Sequence, residues 1–165
     1  MPIGGLRAAL AIGRAYGERD TWRAMSQENV EVVRRAFETF NARDADRHVS
    51  LWDPDCVFLP FRAQLEGITY RGHQGIRRFV RDMDEDWTEF RIDPLEFHQR
   101  DERVVVIGRV SALGRGTNVN VEYVAGFVAE LRHGLITRLT SHSDPEAALR
   151  AADRKRADSA AGSAE

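Results

Sequence analysis

An α+β fold is predicted from two apolar patterns that meet near residue 87. Before this point apolar residues recur at helical spacing, and after it they alternate with a period of two. The second pattern contains four strand candidates, at residues 88–99, 103–113, 118–131 and 134–143. Short turn signals join them at residues 100–102, 114–116 and 133–134, which favours an antiparallel meander.

The first helix candidate follows an N-terminal segment of different character. Residues 1–24 carry scattered glycine and arginine without an apolar period, so we expect an extension that is poorly structured or a frayed helix. One alternative is that this segment is an amphipathic arm that covers a pocket or a partner. Another is that it is a translated leader and that the protein starts at Met25. The helix itself is expected to begin with Ser26 as N-cap. Its apolar face contains Val30, Val33, Phe37 and Phe40.

The central segment predicts two further helices and one short strand. A helix over residues 45–51 should end before the Asp53-Pro54 turn, because a residue preceding proline disfavours the helical conformation. Residues 56–61 then predict a brief strand, at an edge or a bulge on account of Pro60. After a loop, residues 73–86 predict an amphipathic helix with Ile76, Phe79, Val80 and Met83 on its apolar face.

The C-terminal segment predicts a short helix and a tail. Asp144 and Pro145 suit the N-cap and first helical positions. We expect the helix to end near residue 152, and residues 153–165 to form a disordered polar tail.

Composition limits the class of protein and its partners. The chain has 165 residues, of which 42% are hydrophobic and 30% charged, which suits one globular domain. A net charge of -2 gives no basic face for nucleic acid, and no apolar run approaches the ~18 residues of a membrane span. The single Cys56 excludes an internal disulfide and is expected to be a buried core residue. We expect a cytoplasmic protein.

The order of elements resembles the SnoaL-like branch of the nuclear-transport-factor-2-like (NTF2-like) superfamily. The segments "ENVEVVRRAFETFNARD", "YRGHQGIRRFV" and "VAELRHGLITRL" carry the resemblance, within a domain placed at residues 25–152. It implies a curved antiparallel sheet wrapped around three helices to form a cone, with an apolar pocket at the open end and homodimers through the outer sheet face. Members include ketosteroid isomerases, polyketide cyclases, epoxide hydrolases and binding or scaffold domains, so the chemistry stays open.

The acid and base residues that this resemblance leads us to expect are missing. Ketosteroid isomerases place their basic aspartate directly before a Pro-Phe pair on the first strand, where this chain has Leu59. The phenol donor position falls at Ala36, and the carboxyl of the oxyanion hole falls near Gly126. Cyclases of this fold need an aspartate at Gly126 or Phe127. The paired carboxylates and arginine of the epoxide hydrolases have no counterpart.

Glu122 is the remaining candidate for a general acid or base. Strand alternation places it on one face with Val124 and Gly126. If Gly126 faces the pocket, as its family counterpart does, the Glu122 carboxyl would lie in an apolar cone with a raised pKa. The alternative is a rim position in which Glu122 pairs with Arg109 across the neighbouring strand.

The predicted function is binding of a small apolar or cyclic organic molecule, without a cofactor. No histidine pair has the spacing of a local metal site, so no metal is expected, and His142 is expected to face outward. The alternatives are a cyclase, isomerase or hydratase using Glu122, and a structural dimerisation module whose cone is filled. The predicted ligand-binding residues are Trp52, Leu59, Phe61, Phe79, Met83, Trp87, Val124 and Leu139.

Overall fold

The structure, a computed structural model, describes residues 24–162, with side chains as far as residue 154. The expectation for the N-terminal extension therefore lies almost wholly outside the described residues. The elements are α1 (24–41), α2 (Ala45–Ser50), β1 (Trp52–Leu59), α3 (Phe61–Leu65), β2 (Tyr70–Arg71), α4 (Gly72–Asp86), β3 (Trp87–Arg100), β4 (Arg103–Gly114), β5 (Asn120–Arg132), β6 (Leu135–His142) and α5 (Pro145–Gly162).

The described strands form one curved sheet in the order β2-β1-β6-β5-β4-β3. The last four strands make the predicted antiparallel meander, whereas β1 lies parallel to β6. The β5–β6 turn has positive φ at both His133 and Gly134, as a two-residue type I′ hairpin requires. The α+β cone predicted from the sequence is confirmed.

β1 differs from its prediction at its N-terminal end. The strand begins at Trp52, so the Asp53-Pro54 pair lies within the strand rather than in a turn before it. The pairing with β6 is irregular between Trp52 and Val57, and the Asp53 side chain accepts a hydrogen bond from the backbone N–H of Asp55 at 2.8 Å. This bulge accommodates a proline that a regular central strand would exclude.

α3 occupies a segment predicted as the end of a strand and a loop. Pro60 is its N-cap residue, and Phe61 belongs to the helix rather than to β1. The Gln64 side-chain amide donates to the carbonyl oxygens of Leu59 and Ser141, at 2.9 and 3.1 Å. These bonds fasten the short helix to the ends of two strands at the open end of the cone.

The helices on the inner side of the sheet have the predicted apolar faces. Val33, Phe37 and Phe40 of α1 are buried, as are Ile76 and Phe79 of α4. Ser26 is not an N-cap, because α1 is already helical at residue 24. The N-cap of α5 is as predicted, since Asp144 Oδ1 accepts from the Ala147 N–H at 2.8 Å. α5 continues to Gly162, past the boundary near residue 152.

The outer face of the sheet has a small core of its own beneath α5. Val105, Ile107 and Val128 of the sheet pack there against Ala148 and Ala152 of α5. The helix approaches β5 closely at Gly126, where an added Cβ would lie 2.3 Å from the Ala148 Cβ. Glycine at this position therefore permits the contact between helix and sheet.

Candidate functional site

A small apolar cavity lies inside the cone. Its volume is about 40 Å³, and rings from α1, α4 and the sheet surround it. Phe79 is central to these rings, with centroids 4.6 Å from Phe58, 5.3 Å from Tyr70 and 5.7 Å from Phe40. Side chains therefore fill most of the inner end. The lining residues are Val33, Ala36, Phe37, Phe40, His48, Trp52, Phe58, Phe79, Ile92, Phe127, Ile136 and Leu139.

His48 is the polar residue in this apolar lining, and it is fully hydrogen-bonded. Trp52 Nε1–H donates to His48 Nε2 at 3.2 Å, so the proton of the neutral ring lies on Nδ1. Nδ1 lies 3.1 Å from Thr39 Oγ1, whose own proton goes to the Arg35 carbonyl at 2.8 Å. Burial, with the charge of Arg43 adding to it, lowers the pKa of His48 to about 4. The imidazole is therefore neutral at pH 7.

A second cavity, which we call the mouth, opens from the same walls towards the surface. Its volume is about 170 Å³, and it shares Phe58, Phe79, Ile92 and Phe127 with the inner cavity. No aspartate or glutamate is among its lining residues within the described part of the chain. The other lining residues are Pro60, Phe61, Arg62, Met83, Trp87, Phe90, Val110, Tyr123, Ala125, Ser141, His142 and Ser143.

Among the described residues, three hydroxyl groups line the mouth, those of Ser141 and Tyr123 on the strands and that of Ser143 just after β6. Ser141 pairs with Phe127 across β5 and β6, is 8% exposed, and accepts a hydrogen bond from the Phe61 backbone N–H at 2.6 Å. Tyr123 pairs with Val110 and is 46% exposed. Partial burial raises the pKa of the Tyr123 phenol, so the group is a neutral hydrogen-bond donor at pH 7.

The structure brings six of the eight predicted ligand-binding residues to these cavities. Trp52 and Leu139 line the inner cavity, Phe61, Met83 and Trp87 line the mouth, and Phe79 lines both.

Leu59 and Val124 line neither cavity, so these two predictions are corrected. On β1 it is Phe58 that reaches both cavities, and alternation turns the next residue, Leu59, to the other face. Val124 pairs with Arg109 on the outer side of the sheet and is 39% exposed.

Glu122 lies outside the cone, contrary to the prediction that it shares a pocket face with Gly126. The alternation along β5 is as expected, but Gly126 faces α5, so the whole set including Glu122 is on the outer face. Glu122 Oε1 lies 3.8 Å from Arg109 Nε, and both side chains are more than half exposed. The structure therefore has the alternative arrangement, a surface ion pair across neighbouring strands.

Three polar residues of the site were missed by the sequence analysis. His48 had no signal beyond its position on a short helix, because its partners Thr39 and Trp52 come from two other elements. Tyr123 and Ser141 could have been found from alternation. Tyr123 shares the inner face of β5 with Phe127, and Ser141 shares the inner face of β6 with Leu139. His142, which was expected to face outward, is at the rim of the mouth and pairs with the outward-facing Gly126.

A third cavity lies between α3 and α4, and its central polar groups are paired with one another. It measures about 230 Å³ and includes Arg78 and Asp82, which lie 3.7 Å apart. The Tyr70 hydroxyl donates to Asp82 Oδ2 at 2.8 Å, and burial together with this bond raises the pKa of Tyr70 to about 12. Since Tyr70, Arg78 and Asp82 already bind one another, we do not assign a ligand to this cavity.

The remaining predictions about chemical groups concern cysteine and metals. Cys56 is fully buried, as predicted, and burial raises the pKa of its thiol to about 11, which disfavours the thiolate. Among the described residues, no three His, Cys, Asp or Glu side chains lie close enough together to hold a metal ion. In the same part of the chain, no helix combines the length and the apolar character needed to cross a membrane.

Several solved structures share the fold of this chain. An NTF2-like protein of unknown function from Burkholderia pseudomallei is 24% identical, with a TM-score of 0.64 over 74% of this chain and 95% of that one. A putative polyketide cyclase from Xanthomonas campestris is 19% identical, with a TM-score of 0.64 over 74% and 94%. TerC, crystallised with polyporic acid, is 23% identical, with a TM-score of 0.63 over 76% and 98%. At these identities the similarity shows the fold alone.

A family comparison identifies the sequence more directly. The curated proteins contain no match to this chain. The model of the SnoaL-like domain matches residues 33–139, a span from the middle of α1 to β6 that contains most of the residues lining both cavities. The chain therefore belongs to the SnoaL-like domain family.

Proposed function

We propose that this protein binds a small, neutral ring compound at the mouth of the cone. The observation that carries the proposal is the continuous apolar wall formed by Phe58, Phe79, Ile92 and Phe127, which joins the mouth to the inner cavity. Apolar clefts with a few polar groups at one end are the usual form of a small-molecule site. A structural module with a filled cone would not need the open space of the mouth.

The size and charge of the mouth define the ligand class. A volume of about 170 Å³ is close to that of an apolar protein cavity known to hold benzene. Arg62 is a charged residue of the lining, and its Nε lies 3.3 Å from Oε1 of Glu66, the C-cap residue of the same short helix. A ligand carboxylate would compete with this pair, whereas a neutral ring would leave it intact.

The same lining favours binding over acid–base turnover. General acid–base catalysis needs a titratable group within hydrogen-bond reach of the reacting atom. The mouth is lined mainly by aromatic and aliphatic side chains and neutral hydroxyls, and its lining includes no carboxylate among the described residues. Its histidine, His142, is at the rim and pairs with the outward-facing Gly126. The similarity to TerC, which was crystallised with polyporic acid, is consistent with a cone that accepts an organic molecule.

Filling the mouth should abolish binding. Ala125 faces the mouth and is 3% exposed, so the ring of an Ala125→Phe variant would occupy the ligand space. We expect its affinity for toluene or indole to fall at least tenfold. Titration followed by the fluorescence of Trp87 and Trp52, which lie in the two cavities, measures the change.

The adjacent residue provides a matched control for this experiment. Val124→Phe introduces the same ring one position away on the outer face, where it should leave the affinity unchanged within about twofold. Thermal unfolding of both variants shows whether each is folded. Equal affinity of the folded Ala125→Phe variant and the wild type would contradict the proposal.

We infer that two copies of the chain associate through the part of the outer sheet face that α5 leaves uncovered. This part contains the exposed Val124, the Arg109–Glu122 pair at 3.8 Å, and the Arg91–Asp93 pair at 2.6 Å. Because this surface carries charges of both signs, the arginines of one copy can pair with the carboxylates of the other across a twofold axis, which supports an isologous interface.

A charge introduced at the centre of this surface should separate the copies. Val124→Glu places a carboxylate beside Glu122. In a dimer this carboxylate would also lie near the same carboxylate of the second copy, and the two negative charges would repel each other. Sedimentation velocity is expected to show a dimer for the wild type and at least tenfold weaker association for the variant. A wild-type monomer, or an unchanged dimer in the variant, would contradict the assigned interface.

A further inference from the structure

Ser141 lies where the apolar wall of the mouth meets α3. Its neighbours on the inner face of the sheet are Leu139, two residues before it on β6, and Phe127, its partner on β5. Its backbone carbonyl accepts from the Gln64 side chain at 3.1 Å, and its hydroxyl oxygen accepts from the Phe61 N–H at 2.6 Å. The side chain is therefore held by α3 in one orientation at the mouth.

The hydroxyl of Ser141 retains a proton that it can donate. A serine hydroxyl has one donor and two acceptor sites, and the Phe61 N–H occupies one of the acceptor sites. Within the described part of the chain, no group accepts the hydroxyl's own proton. The group is 8% exposed, so a polar atom arriving at the mouth would meet a donor with little competition from water.

We propose that Ser141 is a ligand-positioning residue, which donates its hydroxyl proton to an acceptor atom on the neutral ring compound. This inference rests on the proposed function, and it adds that the ligand has a hydrogen-bond acceptor on its edge. The ring lies against Phe127 and Phe79, and the acceptor points towards the β6–α3 junction.

Tyr123 is a less suitable hydroxyl donor than Ser141. Its side chain is 46% exposed, so water competes for its proton, and Ala125 separates it along β5 from Phe127. Ser141, by contrast, is oriented before a ligand arrives, because the bond from Phe61 holds its oxygen. Preorganisation of this kind reduces the entropic cost of binding.

A pair of planar ligands of equal shape separates this role from simple packing. Acetophenone presents a carbonyl oxygen where α-methylstyrene presents a methylene group, so the two differ mainly in the acceptor. We expect the ratio of their affinities to fall about five- to tenfold in Ser141→Ala, since one neutral hydrogen bond is lost. NMR titration of the two ligands against both proteins measures the ratio. Ser141→Thr, which keeps the hydroxyl, should restore it.

The controls distinguish this inference from the function on which it depends. Ser111→Ala removes a hydroxyl on the outer face of the sheet, where Ser111 pairs with Glu122, and should leave the ratio unchanged. A change in packing or in the position of α3 would lower the affinity for both ligands equally and leave the ratio unchanged. An unchanged ratio in Ser141→Ala would therefore overturn the role of Ser141, while the proposal of ring binding would stand. Failure of both ligands to bind the wild type would overturn the proposed function itself, and this inference with it.

Discussion

The wild-type protein should lose about 3 kcal/mol more stability than a His48→Gln variant when the pH is lowered from 7.5 to 4. The pKa of His48 is about 4 in the folded state against 6.5 for an unperturbed histidine, and one unit corresponds to about 1.4 kcal/mol. Because the folded value is depressed, the unfolded chain binds the proton more readily. The loss therefore begins near pH 6.5, grows towards pH 4, and levels off as the pH falls below the folded pKa.

Urea unfolding at several pH values tests this expectation. Carboxylates titrate in the same range, but they are common to both proteins, so the difference between the two curves isolates His48. The variant should be less stable at pH 7.5, because glutamine cannot reproduce both the bond from Trp52 and the contact with Thr39. Parallel curves for the two proteins would contradict the buried neutral state of His48.

Gly126→Ala should destabilise the protein by about 2 kcal/mol, the usual cost of adding a methyl group to a filled space. Its Cβ would lie 2.3 Å from the Ala148 Cβ and 3.1 Å from the Asp144 carbonyl oxygen, so α5 must move away from the sheet. Such a movement would open the outer core formed by Val105, Ile107 and Val128. Chemical denaturation of the purified variant measures the effect.

A second substitution tests whether the contact between Gly126 and Ala148 causes this loss of stability. Ala148→Gly alone should cost about 1 kcal/mol through helix propensity. In the Gly126→Ala background it removes the facing methyl group, so the double variant should be more stable than the sum of the two single effects. Strict additivity would show that the contact between β5 and α5 does not cause the loss.

The fold was predictable because it follows from local patterns. The alternation after residue 87 gave all four long strands, and the His133-Gly134 pair marked a tight turn that does have positive φ at both positions. α3 was not predictable in this way, since a helix of five residues is too short to display a helical period. The Asp53-Pro54 pair was misread because a bulge admits proline within a strand.

The site was only partly predictable, because alternation shows which residues share a face but not which face is inside. Glu122, Val124 and Gly126 do share a face, and the docking of α5 against Gly126 makes it the outer one. The aromatic residues were easier to place, since Trp52, Phe79 and Trp87 are large apolar groups that a single core must enclose. Ser141 acquires its role from α3, a contact between residues 80 positions apart.

The central claim, that the mouth of the cone binds a small neutral ring, is tested most directly by NMR. A titration of ¹⁵N-labelled protein with toluene would report which backbone amides change. We predict saturable shifts at Ala125, Phe127 and Ser141, which border the mouth, and small changes at the outer β4 residues Arg103 and Arg109. Shifts absent from the mouth at millimolar toluene, or spread evenly over both faces of the sheet, would contradict the account.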